Sequence, residues 1–397
     1  MKKIVLLAFA AMLAVGASAQ ELANFGRGQQ IVSPEVKGDS VTFRLNANYA
    51  TVVNLYGNWM ANYTDVVPLK KGANGIWEVT IAAPEPEIYT YNFIVDGVNV
   101  NDPVNFMVQR DGTRYLNMLF VPGERSANYN EAAHRGTVSY RWYDSSLLGS
   151  NRRMTVYTPY GYENSKKSYP VLYLLHGGGG DEEAWSSMGR AAQILDNLIE
   201  QGKAVPMIVV MPNGNPNCQA APGEWSWGMY TPGFRDAGTG PTTPAAASIP
   251  ESFMDIVNYV DANYRTLKDR SHRAICGLSM GGGHTFHVSL LYPNKFDYFG
   301  LFSAGLHLAN GGYQDSFAKQ IKANPEFEQQ SAKLFGSKPK LYWMGMGKTD
   351  FLYQSTVDLR AFWDSKGYKY EYVETDGGHI WRNWRIYLTM FAQKIFK

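Results

Sequence analysis

Residues 273–287 read RAICGLSMGGGHTFH: an apolar run empties into a single serine, Ser279, set among four glycines. In the strand Arg273 to Leu278 the residues after the arginine have the unbroken apolar character of a strand covered on both faces, and the residues after the serine continue at helical spacing. A Gly-x-Ser-x-Gly string alone is short enough to arise by chance. Between a strand and a helix, however, it describes a sharp elbow that lifts the serine hydroxyl off the end of a sheet. Gly277 and Gly281 suit that bend because strand and helix backbones must approach closely there.

A serine hydroxyl becomes a useful nucleophile only when a base within hydrogen-bond reach takes its proton. Seven histidines are available. His284 and His287 are nearest in sequence, but a helix starting at Met280 rises about 1.5 Å per residue and carries both away from the serine, so they are read as packing residues. His272 begins the strand that ends at Ser279, which puts it at the far edge of the sheet. His134 belongs to a polar connecting segment, and His176 to the glycine turn discussed below. His307 and His379 remain, both in loops after strands, where the carboxyl edge of an open sheet gathers ligands.

Chain order decides between them. A serine, then an acid, then a histidine is the order this fold uses. The acid between Ser279 and His307 is Asp297, which follows a helix. Between Ser279 and His379, Asp350 stands just past the apolar strand of LYWMGMGKTDFLY (residues 341–353). The expected triad is therefore Ser279, Asp350 and His379, with Asp376 as the competing acid. Backbone N–H donors for an oxyanion are expected from Met280 and from Gly178, in LYLLHGGGGDEEAW (residues 172–185). A phosphate cradle is a poor reading of those glycines because no lysine follows them at the required spacing. No His-Glu-x-x-His string or Cys/His cluster is present, so neither a metal nor a cofactor is implied.

The rest of the chain has two kinds of patterning. From about Ile31 to Val121 apolar residues alternate: Val41, Phe43 and Leu45; Trp77, Val79 and Ile81; Tyr91, Phe93 and Val95. Separated by Gly, Asn, Asp and Pro turns, they describe a small all-β, immunoglobulin-like sandwich over residues 28–122. Residues 123–136 read as a linker. Over 137–397, apolar strands alternate with amphipathic helices such as 251–266 and 380–396, giving a mostly parallel sheet of about eight strands with helices on both faces.

The first 19 residues, with Lys2, Lys3, a short apolar run and Ala17-Ser18-Ala19, have the form of a cleaved secretory signal, which implies a periplasmic or secreted protein. With that leader removed, 35 basic residues face 35 acidic ones, so no basic nucleic-acid footprint is expected. No later apolar run is long enough for a membrane anchor. Two cysteines, Cys218 and Cys276, do not make a disulfide scaffold.

The stretches YPVLYLLHGGGGDEEAW, MPNG, YRTLKDRSHRAICGLSMGG, GKTDF and GGHIWRNWR, in that order over about residues 135–397, resemble the esterase D-like branch of the α/β-hydrolases. In particular they resemble bacterial feruloyl and acetyl xylan esterases of carbohydrate esterase family 1. The front region resembles the early-set, family 48-like carbohydrate-binding module. The resemblance implies an α/β-hydrolase esterase with Ser279, Asp350 and His379 as its triad. It also implies a plant polysaccharide or feruloylated oligosaccharide as substrate.

The long segment 212–250 carries Trp225 and Trp227, whose flat faces suit a phenolic ring or a sugar. These two and His307 are the expected substrate contacts. Trp59 and Tyr63 are candidate sugar contacts in the front region, where Trp77 is expected in the core. Acetyl xylan hydrolysis, siderophore trilactone hydrolysis and acyl transfer are the alternatives. The segment 212–250 contains one Arg and no Lys, which fits an anionic catecholate poorly.

Overall fold

The computed structural model describes residues 31–62, 64–112, 114–215, 218–221, 248–308 and 315–397. Trp225, Trp227, Tyr63 and the leader lie outside them. The chain divides into two compact units, one of residues up to 55, 66–83 and 93–106, the other of 56–65, 84–92 and 107–397.

In the first unit, strands β1 (Glu35–Lys37), β2 (Ser40–Asn46), β5 (Lys70–Lys71) and β6 (Ile76–Ala82) form an antiparallel sheet ordered β1-β2-β6-β5. The alternation read from the sequence is what buries Val41, Phe43, Leu45 and Trp77. Trp77 is a core residue whose indole N–H donates to the Ala47 carbonyl at 2.9 Å. Strands β3 (Val53–Gly57), β4 (Val67–Pro68), β7 (Glu87–Val95), β8 (Val98–Val100), β9 (Val108–Asp111) and β10 (Arg114–Val121) complete the all-β region. The division between units runs through β3 and β7.

The second unit is built on an eight-stranded sheet, counted among the described residues, whose strands are β11 (Thr137–Ser145), β12 (Ser150–Thr158), β13 (Val171–Leu175), β14 (Ile208–Pro212), β15 (Arg273–Leu278), β16 (Tyr298–Phe302), β17 (Leu341–Gly347) and β18 (Glu371–Thr375). Their order is β11-β12-β14-β13-β15-β16-β17-β18. The first two pairings are antiparallel and the remaining five parallel. Successive residues of one strand belong to opposite cores. Tyr173, Leu175, Ile275, Phe299, Tyr342 and Met344 join a cluster with the helices Phe253–Asn263, Met280–Leu291 and Tyr353–Ser365. Leu172, Leu174, Ala274, Cys276, Tyr298 and Trp343 join another with the helices Ala191–Glu200 and Trp381–Ala392. Coverage on both faces is why these strands are continuously apolar. It also leaves their carboxyl ends, where loops emerge, as the place for chemistry.

The segment read as a linker is packed rather than loose. Tyr129 is buried, its carbonyl accepts from both Arg190 Nε (3.1 Å) and Nη2 (2.8 Å), and Asn197 donates to the carbonyls of Asn128 and Asn130. Cys218 and Cys276 are both buried and neither forms a disulfide. Among the described residues, no helix is long and apolar enough to cross a membrane.

Candidate active site

Ser279 stands between β15 and the helix Met280–Leu291 with φ 52° and ψ −113°. Positive φ in a residue with a side chain costs on the order of 1–3 kcal/mol and persists only where its surroundings impose it. Here the Ser279 N–H donates to the Phe302 carbonyl (2.9 Å), while its carbonyl accepts from Gly283 (3.0 Å) and Gly305 (2.8 Å). The flanking glycines are obligatory. A Cβ on Gly277 would fall 2.6 Å from the Gly281 backbone, and one on Gly281 would fall 2.5 Å from the His176 carbonyl oxygen.

Two strands along, Gly347 ends β17 and the chain turns through Asp350. The loop that carries His379 is stitched to this turn by backbone bonds from Lys348 N to Thr375 O (2.9 Å) and from Thr349 N to Gly377 O (3.1 Å). No side chain fits at Gly347, where a Cβ would meet the Gly377 carbonyl at 2.3 Å. The Asn383 side chain donates to the Gly378 carbonyl at 2.9 Å and pins the loop from the helix that follows.

These contacts place His379 Nδ1 2.9 Å from Asp350 Oδ2 and 3.1 Å from Oδ1. A carboxylate only accepts, so Nδ1 carries the proton and Nε2 is left as the basic nitrogen. The Asp350 side chain is fully buried, and His379 is mostly so. Burial pushes the Asp350 carboxyl upward, but the bonds from His379 and the Leu352 N–H, with the nearby Ser303 hydroxyl, outweigh it and hold the group below its ordinary range. The charged carboxylate is therefore the resting form, fit to orient the imidazole and to balance its charge once protonated.

The competing acids are placed elsewhere. Asp376 is exposed and pairs with Lys348 at 3.0 Å, while Asp297 pairs with Arg270 ahead of β16, at the amino end of the strand. Met280 opens the helix, where first-turn N–H groups lack intrahelical acceptors. Gly178 is exposed in the turn after β13, and its neighbour Gly177 lies against the Ser279 side chain. His307 sits beside His287, one helical turn behind His284.

Burial pushes His176, His284 and His287 toward their neutral forms. His176 is buried, its Nδ1 donates to the Gly177 carbonyl (2.8 Å), and its Nε2 accepts from the Gly214 N–H (2.7 Å), tying the glycine turn to the loop after β14. Nδ1 of His284 is buried with no partner among the described residues, and burial, reinforced by His176 and His287, pushes its pKa down to about 3. The unfolded chain therefore binds a proton near pH 6.5 that the folded chain refuses until about pH 3. The stability contributed by neutral His284 is complete above pH 6.5 and is lost as pH falls below it. Urea midpoints measured from pH 7 to 4 should fall more steeply in the wild type than in His284→Gln; parallel curves would show that His284 is not the group responsible.

An ion-pair network underlies the glycine turn, and sequence reading missed it. Arg110 binds Asp181 through two nitrogens (2.6 and 2.7 Å) and Glu183 at 2.8 Å. Arg153 binds Glu182 (2.5 Å) and Glu183 (2.9 Å), and Glu182 accepts from Asn213 and the Ala221 N–H, both at 2.8 Å. The signal available in the sequence was the run Asp181-Glu182-Glu183 next to the expected oxyanion turn. Its function is to hold that turn against β9, β12 and the loop after β14. Among the described residues, no group of His, Cys, Asp and Glu is arranged to hold a metal ion.

Residues 145–395 match the family described as putative esterase. An endo-1,4-beta-xylanase/feruloyl esterase from Xylanibacter ruminicola is 30% identical over 83% of this chain, which spans 41% of that protein's length. A solved ferulic acid esterase is 26% identical, with a TM-score of 0.50 over 66% of this chain and 100% of its own. An enterobactin esterase from Shigella flexneri shares the fold, at 15% identity with a TM-score of 0.62 over 91% of this chain and 94% of its own. The mixed eight-stranded sheet with helices on both faces is the α/β-hydrolase architecture of these neighbours. An elbow serine with a histidine–aspartate pair beyond it, on that sheet and across the matched residues, makes this chain a member of the putative esterase family.

Proposed function

We propose that this chain is a secreted serine esterase that hydrolyses hydroxycinnamoyl esters, feruloyl above all, on plant cell-wall arabinoxylan. The observation that carries the esterase reading is the Asp350–His379 bond at 2.9 Å beyond an elbow that holds Ser279 at positive φ. The substrate class comes from likeness to the xylanase/feruloyl esterase and the ferulic acid esterase.

In this reading His379 Nε2 takes the Ser279 proton as Oγ attacks the ester carbonyl. The oxyanion is held by the N–H groups of Met280 and Gly178. His379 then gives the proton to the departing alkoxide, leaving an acyl-serine. A water activated by the same nitrogen releases the acid. Asp350 stays ionised throughout and steadies the imidazolium. Trp225, Trp227 and His307 are proposed substrate contacts, and residues 28–122 a module that binds sugar or braces the esterase. Residues 1–19 are proposed as the leader.

Rates on methyl ferulate, acetylated xylan and enterobactin test the assignment, with methyl ferulate expected to be fastest. Preference for enterobactin would overturn the substrate class. An acylated sugar as the main product in the presence of a sugar acceptor would show acyl transfer instead of hydrolysis.

A further inference from the structure

The residue after the acid, Phe351, is 76% exposed, the most exposed large apolar side chain described within residues 107–397. Its ring lies against the His379 imidazole, with centroids 4.6 Å apart and planes at 52°. The same imidazole meets Trp384 edge-on at 4.9 Å and 85°. Trp384 is buried, so it supplies a wall of the site, whereas Phe351 shows its ring to water. Ile380, next to His379, is also 41% exposed. Phe351 is held in place by the turn that fixes the acid, with the Leu352 N–H donating to Asp350 Oδ1 and the Tyr353 N–H to the Asp350 carbonyl, both at 2.9 Å.

A phenylalanine ring left in water forgoes the free energy of burying its apolar surface, and a rigid turn makes the exposure persistent. The chemistry of the base indicates what covers it. In ester cleavage the histidine stands between the serine oxygen and the departing alcohol oxygen, which receives its proton. A ring in van der Waals contact with that imidazole borders the alcohol side of the ester rather than the acyl pocket. Aromatic faces pack well on the C–H faces of sugar rings.

We propose that Phe351 is the platform for the alcohol portion of the ester, so that it sets preference for sugar-borne esters over esters of small alcohols. This rests on Ser279, Asp350 and His379 acting as described above. Phe351 touches the leaving group and takes no part in proton transfer.

The test measures kcat/KM of wild type, Phe351→Ala and Phe351→Trp on methyl ferulate and on a feruloylated arabinoxylo-oligosaccharide, together with the pH profile on methyl ferulate. The ratio of sugar ester to methyl ester is expected to fall about tenfold in Phe351→Ala and to recover in Phe351→Trp, with an unaltered pH profile. Equal losses on both esters, an unchanged ratio or a displaced pH profile would overturn the proposal, the last by making the ring a support for His379. A wild type inactive on both ferulates but active on acetates would instead overturn the feruloyl reading. The same ratio taken with methyl acetate and an acetylated xylo-oligosaccharide then decides Phe351 separately.

Discussion

Ser279→Ala is expected to lower kcat on methyl ferulate by roughly 10⁴- to 10⁶-fold, since removing the nucleophile of a serine triad leaves only binding and oxyanion stabilisation. Ser279→Gly should be as inactive and yet more stable. Glycine occupies φ 52° without steric cost, which relieves on the order of 1–3 kcal/mol of strain against a loss of about 0.5–1 kcal/mol from its extra unfolded-state freedom. The net gain is about 1 kcal/mol, readable as a raised urea midpoint. Stability and activity thus move in opposite directions, as they should where strain is maintained for function. Hydrolysis by Ser279→Ala within tenfold of wild type would place the nucleophile elsewhere.

The largest expected stability effect lies at Arg385, on the closing helix six residues after His379. Its guanidinium is buried, donates to Glu87 Oε1 (3.1 Å) and to the carbonyls of Met188 (2.6 Å) and Ile88 (2.9 Å), and lies over the Tyr129 ring at 5.4 Å. Glu87 is fully buried. Arg385→Met would strand that carboxylate and two carbonyls without their donor, at an expected cost of about 3–5 kcal/mol in urea unfolding. Arg385→Met combined with Glu87→Gln should recover much of the loss, because no charge then remains uncompensated. A cost below about 1 kcal/mol for the single variant would mean that water replaces the guanidinium and that the site is less enclosed than the structure has it.

The esterase fold and the Asp350–His379 pair were legible because each leaves a local trace. Strands covered on both faces must be apolar throughout, and the runs at 171–175, 208–212, 274–278, 298–302 and 341–347 are. A strand-to-helix bend that admits no side chain must have glycines at fixed offsets from its serine. Chain order then selected Asp350 over Asp297 and His379 over His307, and helical rise removed His284 and His287.

What the sequence could not disclose depends on burial, which no local pattern encodes. Arg110 and Asp181 are 71 residues apart, and Arg385 and Glu87 are 298 apart. As letters they are ordinary surface charges, and only closure of the chain removes them from water and makes their pairing obligatory. The helices Phe317–Ala323 and Glu326–Gly336 were not anticipated, and segment 123–136 read as a linker because partners of its polar side chains and carbonyls, Glu85 for Arg125 and Arg190 and Asn197 for its carbonyls, are distant in sequence. Phe351 is the inverse case: an apolar residue beside an amphipathic helix is expected inside, and the turn at Asp350 keeps it out. Local chemistry along the chain singled out Ser279, Asp350 and His379 as the candidate nucleophile, acid and base. Tertiary structure alone decided which charges are buried beside the glycine turn and which aromatic ring stands exposed against His379, because both depend on which distant segments exclude water.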